Sequence, residues 1–306
     1  MKTNLYAQKW SLLSLVFCFS LVGCQQDDFF EKEFLENSFN APDVLVDKPS
    51  ELPPTDGTSP GPVTDPTPTE PPAKDLVCDP FGYDDEATSN KFGIHAKLYD
   101  ASSFPGRIQK LADVIQDKYV LPSDLYFSRL NVTPRNFSEG FSGPDNEPLK
   151  NASGDTLYEW FGLRFTGRFA LTSMEEAGYY ELVTHSDDGT IVRVNANGET
   201  REILNDDGEH APRVGCAKEY IYLDADSKLN FEIDYFQGPR YQISMVLYWR
   251  KVASTPQELS QVKKSSMCGK ESTASSVNKL LDEGFTKLQP DNFLLPAQIV
   301  SNPCAK

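Results

Sequence analysis

The sequence from Lys228 to Trp249, KLNFEIDYFQGPRYQISMVLYW, decides the fold class of this chain. Apolar and polar residues alternate through both halves, and a short Gln-Gly-Pro-Arg segment separates them. Alternation with a period of two is typical of an antiparallel strand that is buried on one face only. The sequence therefore predicts two half-buried antiparallel strands. The apolar residues predicted to face the core are Leu229, Phe231, Ile233, Tyr235, Tyr241, Ile243, Met245, Leu247 and Trp249.

Similar short runs precede this pair, beginning with FGIHAKLY at Phe92–Tyr99, and turns rich in Gly, Asn and Asp separate them. About eight or nine such strands over roughly 160 residues are typical of an all-β fold, either an antiparallel β-sandwich or a barrel. The segment RIQKLADVIQDKY (107–119) spaces its apolar residues at helical intervals, Leu111 and Ala112 among them, and predicts a minor helix. Strands and helices do not alternate regularly, which excludes a Rossmann-type sheet.

Residues 253–306 predict a C-terminal extension of helical and irregular structure. The segment TPQELSQVKKS begins with Thr255 as a helix cap, Pro256 at the first helical position and Glu258 three residues after the cap. The segment SSVNKLLDEGF predicts a second helix that ends near Gly284.

The first 23 residues predict an export signal. Lys2 and Lys9 are followed by the apolar run Trp10–Leu21, and small residues then precede Cys24. The apolar run is shorter than the roughly 20 residues of a membrane-spanning helix, so we expect cleavage. The ending LVGC is similar to that of bacterial lipoprotein signals, which implies palmitate-type acylation at Cys24 and anchoring to a bilayer.

Residues 24–75 predict an acidic, proline-rich linker. This segment contains twelve Asp or Glu, three Lys and ten prolines. It has too little apolar surface to offset the entropy cost of folding, so we expect a disordered, semi-extended stalk. The formal net charge of the chain is −16. This charge argues against nucleic acid as a partner and against a polybasic contact with anionic lipid.

Four cysteines remain in the exported chain: Cys78, Cys216, Cys268 and Cys304. An even number in an exported protein favours two disulfides, with three alternative pairings. None of the four lies in a C-x-x-C pair, so the sequence does not indicate a zinc site. Because Cys78 and Cys268 flank the predicted sandwich at 76–252, we favour that pairing.

Several stretches in order resemble the protective-antigen fourteen-kilodalton domain family. They are FGIHAKLYD, YEWFGLRFTGRF, AGYYELVTHSDDGTIVRVNANGE, ILNDDGEH and LNFEIDYFQGPRYQISMVLYW, which together cover about residues 92–252. The family is a lectin-like β-sandwich found in bacterial toxins, fungal flocculation adhesins, glycoside hydrolases and bacterial surface proteins. The resemblance implies a lectin-like sandwich here.

The resemblance also offers an explanation for Asp187 and Asp188. These acids lie together between two predicted strands without an adjacent Lys or Arg, although a turn needs only one Asp and a Gly. In sugar-binding members of the family, two adjacent aspartates joined by a cis peptide hold Ca²⁺, whose remaining sites take sugar hydroxyls. Ca²⁺ accepts about six to eight oxygen ligands. The resemblance therefore implies a calcium site at Asp187 and Asp188, with Gln237 as the favoured third ligand.

Other residues are candidates for the rim of the same site. Asn205, Asp206 and Asp207 are alternative third ligands, and His210 is a candidate rim residue. An Asx turn is the competing interpretation for the NDDG segment. For the aspartate pair, the competing interpretation is that one Asp shapes the turn and the other binds neighbouring backbone. Trp160, Trp249, Tyr235 and Tyr241 are candidates for stacking on sugars, although their alternation places most of them in the core.

The sequence predicts no enzyme. It contains neither G-x-S-x-G nor H-E-x-x-H, and its three histidines lie on separate elements. Adjacent aspartates also cannot straddle a glycosidic bond as a glycosidase pair does. We expect a surface lipoprotein of the bacterial envelope, in the outer membrane rather than the inner. Its adhesin-like domain is expected to bind a glycan or cell-surface polysaccharide through calcium. The alternative is a structural or protein-interaction lipoprotein that does not bind sugar.

Overall fold

The computed structural model describes residues 76–78, 91–141, 148–151, 153–271 and 274–305. The predicted signal peptide at 1–23, the acylation site at Cys24 and the whole of the predicted stalk at 24–75 lie outside the described residues. In the described part of the chain, no helix is long and apolar enough to cross a membrane.

Most of the described secondary structure is β-strand. In chain order the strands are β1 (Leu76–Cys78), β2 (Ile94–Asp100), β3 (Val120–Phe127), β4 (Asn131–Asn136), β5 (Phe161–Phe169), β6 (Gly178–Asp187), β7 (Thr190–Ala196), β8 (Glu199–Asp206), β9 (Arg213–Cys216), β10 (Ile221–Leu223), β11 (Leu229–Gln237), β12 (Gln242–Ala253), β13 (Thr286–Lys287) and β14 (Phe293–Leu294).

The strands form two sheets. The larger sheet has the order β1-β3-β2-β5-β11-β7-β8, with β14 also paired to β5. The smaller sheet has the order β10-β6-β12-β13, with β4 paired to β12 and β9 paired to β6. Pairing is antiparallel except between β1 and β3, which are parallel. Apolar residues of both sheets, such as Phe165, Ile233, Leu247 and Trp249, form one buried core. The predicted β-sandwich is therefore confirmed, and the barrel alternative is not.

The strand β12 differs from the prediction because it is buried on both faces. Its inward residues lie in the core between the sheets, as expected. Val246 and Tyr248, predicted to face solvent, are also buried, against Met267, Leu280 and Phe285 of the C-terminal extension. The extension thus covers the outer face of the smaller sheet. It also contributes β13 to the smaller sheet and β14 to the larger one.

The predicted pairing of Cys78 with Cys268 is wrong. The disulfides join Cys78 to Cys304 and Cys216 to Cys268. Backbone hydrogen bonds between Val214 and the 269–270 segment bring Cys268 beside the end of β9. At the other end of the extension, bonds from Leu295 and Asn302 to residues 91–92 bring the C-terminal tail beside the start of the sandwich. The pairing therefore follows from where the extension docks.

In the part of the chain that the structure describes, the helices are few and short. They are α1 (Leu111–Val114), α2 (Pro256–Leu259) and α3 (Ala274–Asp282), with 3-10 turns at Asp117–Tyr119, Phe137–Glu139 and Pro290–Asn292. The predicted Thr255 cap is confirmed, since its hydroxyl accepts a hydrogen bond from the Glu258 N–H. The predicted end at Gly284 is also confirmed, with a left-handed φ of 87° there.

The predicted helix over 107–119 is much shorter than expected. Only Leu111–Val114 is α-helical, and Gln116 already has extended backbone angles. Leu111 and Val114 are buried, whereas Ala112 is exposed. The buried residues of this segment pack against Ile191 and Phe236. This packing holds a single turn of helix in place.

Candidate metal centre

The aspartate pair lies where the chain crosses from one sheet to the other. Asp187 is the last residue of β6 in the smaller sheet, and β7 in the larger sheet begins at Thr190. The peptide bond between Asp187 and Asp188 is cis. The two residues are buried, with relative exposures of 4% and 2%. Burial of two neighbouring carboxylates is unusual, because acids are rarely fully buried without a partner.

Two other loops converge on the carboxylate of Asp188. The backbone N–H of His210, in the loop after β8, donates to Oδ1 at 2.8 Å. The backbone N–H of Gly238, in the loop between β11 and β12, donates to Oδ2 at 2.6 Å. Asp188 therefore links three loops at one end of the sandwich.

Tyr235 and Gln237 of β11 support the other aspartate. The buried Tyr235 hydroxyl lies 2.7 Å from both the backbone oxygen of Asp187 and Oε1 of Gln237. The Gln237 Nε2 donates to the backbone oxygen of Gln242 at 3.0 Å. Gln237 thus lies beside the aspartates, as predicted from the resemblance. Its amide oxygen and the backbone oxygen of Asp187 are both within hydrogen-bond distance of the same Tyr235 hydroxyl.

The environment of the pair disfavours two negative charges. The pKa of Asp187 is raised to about 8, mainly by burial and also by the charges of Asp188 and Glu209. A hydrogen bond from Gln237 acts in the opposite direction and lowers this pKa. Burial likewise raises the pKa of Asp188 to about 7, although the N–H groups of Gly238 and His210 lower it. Near neutral pH the pair therefore retains protons unless a cation compensates its charge.

The residues predicted for the rim have mainly structural contacts. Asp206 Oδ1 accepts hydrogen bonds from the Arg213 guanidinium, and Asp207 Oδ1 accepts from the Leu111 N–H at 2.9 Å. Asn205 Nδ2 donates to Glu202. The ring nitrogens of His210 lie near backbone oxygens. Of the four predicted rim residues, His210 contacts the pair, and it does so through its backbone.

The second loop approaches the first closely at Gly189. A Cβ at this position would lie 2.8 Å from the Gly208 nitrogen and 3.0 Å from Asp207 Oδ1. A side chain at Gly189 would therefore push the loops apart and withdraw the His210 N–H from Asp188. The requirement for Gly after the two aspartates comes from this close approach.

Two charged residues at the site, Glu209 and Arg107, were not predicted from the sequence. Glu209 raises the pKa of both aspartates, and Arg107 lowers the pKa of Asp188. Arg107 also pairs with Glu209, donating from Nε to Oε2 at 2.5 Å. Glu209 lies within the NDDGEH stretch, so its acidic neighbours were a usable signal. Arg107 lies in the segment between β2 and α1, and no motif marks it.

The aromatic residues divide between core and surface. Trp249 and Tyr235 are buried in the core. Tyr241 was predicted to face the core, but it is 81% exposed. The reason is that β12 begins only at Gln242, so Tyr241 lies in the preceding loop. This loop also contains Gly238, whose N–H binds Asp188. The exposed ring of Tyr241 therefore belongs to a loop that contacts Asp188.

Comparison with known proteins finds similarity among solved structures. No family model matches the chain, and no curated protein matches it. The solved PA14 sugar-binding domain from an RTX adhesin is similar over 53% of this chain and 90% of that chain, with 16% identity and a TM-score of 0.41. The PA14 domain of the MpAFP antifreeze protein is similar over 55% and 87%, with 14% identity and a TM-score of 0.41.

A third similar structure is the A domain of epithelial adhesin 6 from Candida glabrata, solved in complex with Galb1-3GlcNAc. The similarity covers 55% of this chain and 83% of the adhesin domain, with 14% identity and a TM-score of 0.36. At such identities and scores, the ligands of these proteins carry no argument for this chain. The class that the fold and site define is a two-sheet β-sandwich with a buried aspartate pair at one end.

Proposed function

We propose that this protein is a lipid-anchored envelope lipoprotein whose sandwich binds carbohydrate through a calcium ion held by Asp187 and Asp188. One observation carries the calcium proposal: the carboxylates of Asp187 and Asp188 are adjacent and almost fully buried, with relative exposures of 4% and 2%. The raised pKa values of both groups agree with this, because burial disfavours two negative charges there. Neither carboxylate forms an ion pair within the described part of the chain. A divalent cation would compensate both charges at once.

The donor atoms fit a hard cation. Carboxylate oxygens suit Ca²⁺, and each keeps lone pairs beyond those that accept N–H groups. Within the described residues, the pair belongs to no cluster of three Asp, Glu, His or Cys ligand atoms lying within 4.8 Å of one another. Asp187 and Asp188 would hold the ion, and Gln237 is a candidate amide ligand. When bound, calcium supplies coordination sites to hydroxyl oxygens of a sugar, because these few protein ligands do not fill its shell.

Carbohydrate is the ligand class that these features favour. The YFQGPRY and SDDG motifs resemble those of sugar-binding domains. Tyr241, on the loop that contacts Asp188, exposes an aromatic ring to solvent. An aromatic face beside a metal site suits a pyranose, which has both an apolar face and vicinal hydroxyls. A glycan or cell-surface polysaccharide is the proposed partner, and cell adhesion is the proposed role.

Thermal unfolding with and without calcium tests the metal proposal. The exported protein is purified with Cys24→Ser to remove the anchor. At calcium about 100 times above Kd, we expect about 2.7 kcal/mol of stabilisation and a rise in Tm of about 5–10 °C. Asp187→Asn should remove the rise, whereas Asp226→Asn, which changes an exposed aspartate in another turn, should retain it. No rise at millimolar calcium would contradict the proposal.

A glycan array with and without chelator tests the sugar proposal. We expect binding to a defined set of glycans that disappears when calcium is removed, because the ion would link the protein to the sugar. Asp188→Asn should abolish binding in the same way. Binding that persists in chelator would exclude a calcium-mediated mode.

Acylation and location follow from the motif at Cys24 alone. We expect the protein to incorporate labelled palmitate in bacterial cells and to fractionate with the envelope, in the outer membrane rather than the inner. Cys24→Ser should abolish the labelling and release the protein from the membrane fraction. A wild-type protein that incorporates no label would contradict the anchor.

A second candidate function is that of a protein-interaction lipoprotein without sugar binding. Both oxygens of Asp188 already bind backbone N–H groups of two loops, a role that needs no metal. On this alternative, the aspartates only shape the end of the sandwich. Crosslinking in intact cells distinguishes the two, because a protein partner would be captured equally with and without chelator.

A further inference from the structure

We infer that the site extends over an aromatic ledge that binds a second, neutral sugar unit, so that the preferred ligand is an oligosaccharide. The ledge consists of Phe137, Tyr158, Glu159 and Arg240. This inference rests on the proposed sugar binding and specifies the class of glycan.

Three segments build the ledge. One of them contacts the aspartate pair, and the other two hydrogen-bond to that loop or to the end of β11. The loop between β11 and β12 contains Arg240 and Gly238, and the Gly238 N–H binds Asp188 at 2.6 Å. The backbone oxygen of Tyr241 in this loop accepts the N–H of Phe137 at 3.2 Å. The backbone oxygen of Gln237 accepts the N–H of Trp160 at 2.9 Å, which holds the segment with Tyr158 and Glu159 alongside. A ligand bound at the pair thus has the ledge as a neighbour.

The side chains of the ledge form an ordered surface. The rings of Phe137 and Tyr158 meet edge to face, with centroids 6.2 Å apart and planes at 80°. The Arg240 guanidinium lies 5.7 Å from the Phe137 ring centroid. Its Nε donates to Glu159 Oε1 at 3.0 Å. These contacts fix the side chains before a ligand arrives, which lowers the entropy cost of binding.

The ledge nevertheless remains open to solvent. Tyr158 is 38% exposed, and the Arg240 side chain is 70% exposed. Most large aromatic residues of the described chain are instead buried in the core. Aromatic rings flanked by planar polar groups suit a pyranose, because the rings contact its C–H face and the polar groups bind its hydroxyls.

The charges favour a neutral glycan. Arg240 is already paired with Glu159, so the ledge presents no free positive charge to an acidic sugar. The chain as a whole has a formal net charge of −16, which opposes an anionic ligand. The ion pair offers both donors and acceptors to adjacent hydroxyls.

Isothermal titration with neutral glycans of one to four units, in saturating calcium, tests the ledge. We expect the wild-type protein to bind its best oligosaccharide about tenfold more tightly than the terminal monosaccharide of that glycan, a difference of about 1.4 kcal/mol. Tyr158→Ala should remove this preference while the monosaccharide affinity stays unchanged. Tyr158→Phe should retain it, because the ring remains.

Tyr222→Ala is the matched control. Tyr222 lies on β10, outside the ledge. Its ring meets that of Tyr179 edge to face, and the two ring centroids are 5.1 Å apart. This variant should keep the preference for oligosaccharides. If wild type binds monosaccharide and oligosaccharide equally, or if Tyr158→Ala keeps the preference, the ledge is not a subsite, while calcium-dependent sugar binding stands. If calcium binds but no neutral glycan does, the ledge proposal is wrong and the metal site remains, and the glycan array decides whether that site binds any other sugar.

Discussion

The buried aspartate pair predicts that the calcium-free protein becomes less stable as the pH rises. Asp187→Asn should make this decline smaller. The pKa of Asp187 is raised from 3.8 to about 8 in the folded protein, mainly by burial. Between these values the folded protein holds a proton that the unfolded chain has lost. Raising the pH through this window therefore favours unfolding, and the stabilising effect present at low pH is lost.

The magnitude follows from proton linkage. One carboxyl contributes about 1.4 kcal/mol per pH unit inside this window. Between pH 5 and pH 7, the Asp187 carboxyl should lower the free energy of unfolding by about 2.5 kcal/mol. The Asp187→Asn variant lacks this titration, so the difference between wild type and variant should change by that amount. Titrating groups far from the pair cancel, because both proteins contain them in the same surroundings.

Urea unfolding at pH 5, 6 and 7 in the presence of chelator measures this difference. Asp226→Asn, at an exposed position, should follow the wild-type curve. Saturating calcium should remove the decline of the wild-type protein, since the ion would replace the protons on the pair. Parallel curves for wild type and Asp187→Asn from pH 5 to pH 7 would refute the assignment of raised pKa values to this site.

Three further predictions concern a disulfide, a buried ion pair and the tyrosine beside the aspartate pair. Cys304→Ser should lower the free energy of unfolding by about 3–5 kcal/mol, because the disulfide to Cys78 spans a sequence separation of 226 residues; equal unfolding midpoints with and without reductant would contradict this. Glu181→Gln should cost about 3 kcal/mol in urea unfolding, because it leaves the guanidinium of Arg250 without its fully buried partner. Tyr235→Phe should weaken calcium binding in a titration by removing the hydroxyl beside the aspartate pair; an unchanged Kd would exclude that supporting role.

Local patterns explain the parts of the fold that the sequence predicted. Alternation with a period of two predicted β11 and the inward face of β12, because side chains on a strand point to opposite faces in turn. The Thr255 cap needs only a contact to Glu258, three residues away. The aspartate pair was recognisable because two acids are adjacent in the chain. In each case the interacting groups are neighbours in sequence.

The remaining features depend on contacts between residues far apart in the chain. The outer face of β12 is buried because the C-terminal extension docks on it, although Val246 and Tyr248 alternate with the predicted core residues. Arg107 reaches Glu209 across 102 positions. The contacts of His210 and Gly238 with Asp188 also depend on how the loops meet.

The sequence by itself determined most of the strands, an all-β fold of sandwich or barrel type, the helix cap and the position of the acidic pair, because these follow from side-chain periodicity and from adjacent residues. Only the tertiary structure decided the disulfide partners, the exposure of Tyr241 and the loops that surround Asp188. Folding brings together distant segments whose separate sequences contain no sign of one another, and burial then alters the pKa values of the groups enclosed between them.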